Sequence, residues 1–111
     1  MRTIIENNKL IAEFMELELI IPKNKIYEPF YRQYQESGMI KRDCLISSLK
    51  YNLSWDWLMP VIDKIYSSNE YYVYKSTLGQ FSTGIEINTK FIDVTYNNVV
   101  DYIKWYNSQT K

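Results

Sequence analysis

The apolar residues of this chain fall into segments of different period, and the longest is helical. In "TKFIDVTYNNVVDYIKWYNSQ" (89–109), Ile92, Tyr96, Val99, Ile103 and Tyr106 recur at spacings of 4, 3, 4 and 3. That is one face of an α-helix, widened by Val100, with Asp93, Asn97, Asp101 and Lys104 largely outside it. Thr89 is the expected N-cap. A second helical stripe, Leu58, Val61, Ile62 and Ile65, lies in "SWDWLMPVIDKIYSSN" (54–69). Ser54 can cap that helix, and Asp56 sits in its first turn, where the helix dipole favours a carboxylate. Pro60 lacks the N–H that would bond the Asp56 carbonyl, so a kink or restart is expected there. Trp55 and Trp57 then lie on an offset first turn, able to close the core or to line a ligand or partner site. A third stripe, Leu10, Ile11, Phe14 and Met15 in "NNKLIAEFM", predicts a short helix capped by Asn7 or Asn8.

Elsewhere the pattern is that of strands and loops. "LELII" alternates ahead of Pro22 and predicts a handover from helix to strand. Residues 22–43 are punctuated by Pro22, Pro29 and Gly38 and read as an irregular insert of loops and short pieces. "CLISSLKY" (44–51) reads as a strand. "EYYVYKSTLGQFSTGIEIN" (70–88) has β-forming arms on either side of a glycine-containing centre and predicts a hairpin. No linker, repeat or low-complexity tract divides the chain. The expected fold is one α+β domain over residues 1–111, a small, mostly antiparallel sheet packed with about three helices in an α-β-α sandwich-like arrangement.

Composition narrows the chemistry. At 111 residues the chain can bury a core without metal or disulfide staples. Thirteen basic and thirteen acidic residues cancel, so the chain lacks the field that draws proteins to duplex nucleic acid or anionic membranes. There is no histidine, which removes the commonest acid–base catalyst and metal ligand. The lone cysteine, Cys44, excludes an internal disulfide and reads as a small buried hydrophobe. No apolar run matches a membrane span or a signal peptide, so a cytoplasmic protein is expected. Asp56 and Asp63 lack the signs of an acid–base pair, and "STLGQFSTG" lacks the lysine and following helix of a phosphate loop.

Eleven tyrosines carry the aromatic content. Around "IYEPFYRQY" and "IKRD", Tyr27, Phe30, Tyr31 and Tyr34 interleave with Arg32, Lys41 and Arg42. Such a mixture can pin a loop over a core, form a protein–protein contact, or stack a base and pair a phosphate. Tyr27, Tyr31, Arg32, Tyr34, Lys41, Arg42, Trp55 and Trp57 are therefore the candidate binding residues. No catalytic residue, metal ligand or cofactor site is expected.

Three segments, "NNKLIAEFM", "SWDWLMPVIDKI" and "YNNVVDYIKWYN", together resemble a family of small uncharacterised phage and prophage proteins. Those proteins carry "N-K-x-I-A-x-F-M", a central "S-W-D-W-L-M-P-V-V-E-K-I" and a terminal "Y-x-A-V-V-x-F-I-K-W-Y-N", and their layout is similar to the phage ABA sandwich type of domain. The match covers about a third of the chain. Family members often have a histidine where this chain has Asn52, and a glycine–aromatic pair where it has Glu16 and Leu17. The resemblance implies a phage or mobile-element origin and assigns no activity. Three readings follow. The first is a non-catalytic accessory protein that binds a host protein, for example to inhibit host defence or regulation. The second is a binder or sequesterer of a nucleotide-type small molecule, its pocket at a homodimer interface. The third is an enzyme or nucleic-acid modulator that works without histidine.

Overall fold

The computed structural model describes residues 3–77 and 90–109. These residues form an α+β fold with four α-helices and a three-stranded antiparallel sheet. The chain separates into two compact units, Met1–Lys50 and Tyr51–Lys111.

In the first unit, α1 runs from Ile4 to Phe14. Its cap is Thr3, whose Oγ1 accepts the Glu6 N–H at 3.1 Å, rather than the expected Asn7 or Asn8. Asn8 is instead buried, and its Nδ2 donates to the Leu49 carbonyl at 3.1 Å. Beyond the Met15 cap, Glu16 takes a left-handed conformation, φ 63°, that lets the chain turn toward β1 (Glu18–Ile20). The expected handover from helix to strand is therefore present.

The expectation of an irregular insert is overturned for most of residues 22–43. β2 (Phe30–Tyr34) and β3 (Ile40–Leu45) pair there as an antiparallel hairpin, giving the sheet order β1-β2-β3. Gly38 makes the turn possible with φ 89°, while Gln35 donates to the Met39 carbonyl at 2.7 Å. The strand expected over 44–51 stops at Leu45 and becomes a 3-10 turn at Ile46–Ser48. The Glu28 carboxylate accepts both the Ser47 N–H and its Oγ–H, at 3.1 and 3.0 Å, satisfying a donor that a strand would have paired with a neighbour.

The second unit holds three helices among its described residues. α2 (Trp55–Tyr66) starts at Ser54, whose carbonyl accepts from Trp57 and Leu58 although its side chain makes no capping bond. The helix continues unbroken through Pro60, with no restart. Leu58, Val61, Ile62 and Ile65 are fully buried, as the stripe predicts. α3 (Glu70–Thr77) replaces the first arm of the expected hairpin. The rest of that hairpin, and Thr89, lie outside the described residues. α4 (Ile92–Gln109) packs against α2 and α3 and buries Tyr96, Val99, Val100 and Ile103, together with Thr95 and Tyr102.

Tyr71 and Tyr74, one turn apart, explain why α3 is helical despite its β-forming residues. Tyr74 stands edge-on to Tyr102 at 5.1 Å and lies 5.2 Å from Trp105, and Tyr71 is 6.3 Å from Tyr102. A short helix gains most of its stability from such a packed face.

Candidate functional site

The interleaved aromatic and basic residues of the first unit are distributed by strand alternation. Antiparallel partners share a face, so Leu19, Tyr31 and Cys44 lie on one side of the sheet, with Gln33 and Arg42. Glu18, Arg32 and Asp43 lie on the other, with Phe30 and Leu45. The sheet thus divides the candidate residues rather than gathering them into one pocket.

Tyr31 belongs to the core. It is 1% exposed, and its hydroxyl donates to Glu13 Oε1 of α1 at 3.3 Å. Arg32 is held by Asp43 across the strands, Nε to Oδ1 at 2.9 Å and a second nitrogen to Oδ2 at 3.3 Å. Its guanidinium also lies 5.5 Å from the Phe30 ring centroid. The hydrogen bond from Arg32 holds the Asp43 carboxyl below the usual range, and Asp43 in turn raises the arginine. The Tyr34 hydroxyl donates to Glu18 Oε2 at 3.1 Å, and Arg42 Nε donates to Gln33 Oε1 at 3.0 Å.

Register explains the place of Lys41. Gln33 faces Arg42 but Tyr34 faces Ile40, so Lys41 is the extra residue of a bulge, and it is exposed. Tyr27 is also exposed, at 62%. Cys44 is half-buried, and burial pushes its thiol up against the opposing influence of Arg42 and Lys50, which favours the protonated form.

In the second unit, Trp55 and Trp57 are both half-buried. The Trp57 ring meets Tyr51 edge-on at 5.2 Å, an aromatic pair that stabilises the start of α2.

Residues not singled out in the sequence complete the surface. Met39, Ile40 and Leu45 are exposed on or beside β3. A turn signal between the runs "FYRQY" and "IKRDCL" could have located them, had Gly38 been read as a hairpin turn. A recess of about 150 Å³ lies along α1, lined by Glu6, Lys9, Leu10 and Glu13. Among the described residues no group of three or more Cys, Asp and Glu side chains is placed to hold a metal ion, and no helix is long and apolar enough to cross a membrane. The hairpin thus carries exposed apolar side chains and the exposed cations Lys41 and Arg42, while Arg32 is engaged by Asp43. Comparison with protein families, curated proteins and solved structures finds no match.

Proposed function

We propose that this chain is a non-catalytic accessory protein of phage or mobile-element origin that acts by binding a host protein. The origin rests on the motif resemblance alone. The binding role rests chiefly on the β2–β3 hairpin, where Met39, Ile40 and Leu45 are exposed along with Lys41 and Arg42, and on the exposed Tyr27 in the loop ahead of β2. Apolar and aromatic groups next to cations are the usual chemistry of protein contacts. The same geometry argues against the nucleotide reading, because Tyr31 is buried and Arg32 is bound to Asp43.

The test is gentle purification of the tagged protein from a bacterial host, followed by native mass spectrometry. The proposal expects a co-purifying polypeptide that is lost when Tyr27→Ala and Met39→Ala are combined, with the fold retained by circular dichroism. A small-molecule adduct released on denaturation would support the nucleotide-type binder instead. A bare chain, or a partner indifferent to both substitutions, would count against this surface.

A further inference from the structure

The outer edge of β3 has the backbone geometry of a strand acceptor. Ile46 N–H donates to the Pro29 carbonyl at 3.4 Å, which sets the phase of the ladder between β2 and β3. Hydrogen-bonded and non-hydrogen-bonded pairs alternate along an antiparallel ladder. Cys44 (opposite Tyr31) and Arg42 (opposite Gln33) therefore turn their backbone groups toward β2. Asp43 and Leu45 turn theirs outward, and among the described residues no strand lies beyond β3.

The charge along this edge is one-sided. Asp43, its only acidic residue, is neutralised by Arg32. Lys41 and Arg42 are exposed on the strand, and Lys50 is exposed just beyond it. Ile40 and Leu45 add apolar contacts at the two ends, 50% and 44% exposed.

We infer that the partner docks by strand addition, laying an extended acidic segment along Ile40–Leu45. Main-chain bonds to Asp43 and Leu45 provide the affinity, and carboxylates facing Lys41, Arg42 and Lys50 provide the selectivity. Edge lysines ordinarily discourage strand pairing. Here they discourage cationic or neutral strands while admitting an acidic one. This inference rests on the protein-binding reading and names the chemistry of its partner.

The probe is a capped heptapeptide of alternating glutamate and valine, with a lysine–valine peptide as control. Amide hydrogen exchange and chemical shifts of the intact chain are followed by NMR. The glutamate peptide is expected to slow exchange at Asp43 and Leu45, with an affinity that falls in high salt. Lys41→Glu combined with Lys50→Glu should weaken it at least about threefold, in line with the small effects of charges at an interface rim. Equal binding of the lysine peptide, no change at either amide, or amides already protected without peptide would each overturn the inference. A host protein bound with unchanged affinity by the doubly charge-reversed variant would overturn the acidic-strand inference while leaving the protein-binding reading intact.

Discussion

Leu17 donates its N–H to the Ala12 carbonyl at 3.0 Å, and Glu16 donates to Glu13 at 3.0 Å. These are the two bonds of a Schellman helix end, and they require the residue between the helix and Leu17 to be left-handed. That residue is Glu16, at φ 63°.

A side chain in this conformation costs about 1–2 kcal/mol, whereas glycine loses about 0.5–1 kcal/mol through its freer unfolded chain. The first effect is the larger. Glu16→Gly should therefore stabilise the protein, by about 0.5–1 kcal/mol, and Glu16→Ala, which keeps the Cβ, should be near neutral. Denaturant unfolding of the two variants checks this, and a stabilising alanine would show that the conformation is not the cause.

The pair of Arg32 and Asp43 gives a prediction in pH. The folded Asp43 carboxyl lies below its ordinary value because Arg32 hydrogen-bonds its charged form. Its contribution to stability is thus present above the unfolded value, near 3.9, and is lost as pH falls through the lower folded one. Both groups are solvent-accessible, so the effect on stability is small and screened by salt. A carbon-detected NMR titration should place the Asp43 midpoint below that of an ordinary aspartate, and Arg32→Gln should return it. An unshifted midpoint in the parent would mean that the ion pair does not persist in solution.

The α2 and α4 stripes were legible in the sequence because each buries one face, and the 3.6-residue period survives in the apolar positions. β3 was not, because it is exposed along most of its length and so leaves no alternating pattern. Its partner β2 hid behind Pro29 and a glycine turn, although Tyr31 and Arg32 are both among the candidate binding residues. α3 misled through composition, since Tyr71, Tyr72, Val73 and Tyr74 are β-formers by propensity. The rings of Tyr102 and Trp105, far along the chain, decide its conformation. For α1 the local signal is "TIIE" at residues 3–6, which has the Thr-x-x-Glu spacing of a capping box and lies ahead of the asparagines Asn7 and Asn8 that the apolar stripe points to. The candidate residues were found by type, but only the register showed that Tyr31 and Arg32 point to opposite faces.

Tyr102 is the hub of the second unit. Its ring neighbours Tyr71, Tyr74, Trp105 and Tyr106, and its hydroxyl lies 3.1 Å from Ser68 Oγ. Ser68 Oγ already donates to the Ile65 carbonyl at 2.9 Å, so Tyr102 donates to Ser68. Tyr102→Phe should cost about 1 kcal/mol for the lost hydrogen bond, and Tyr102→Ala about 3–5 kcal/mol for the lost ring. A double-mutant cycle with Ser68→Ala should show the hydroxyl coupling in the first case. Additive losses would mean that the two hydroxyls do not bond.

Pro60 poses the sharpest test of α2. It lies six positions beyond Ser54 in a helix that continues to Tyr66, and it leaves the Asp56 carbonyl without its N–H partner. An interior proline costs about 3 kcal/mol against alanine, and Pro60 is exposed, so little packing is lost with its ring. Pro60→Ala should therefore raise stability by roughly 1–3 kcal/mol, with tryptophan emission unchanged because Trp57 keeps its contact with Tyr51. The opposite result would have a specific meaning. If alanine destabilises the protein and shifts the emission, the fixed proline backbone is what seats Trp55 and Trp57 over the start of the helix, and its cost is offset by that packing.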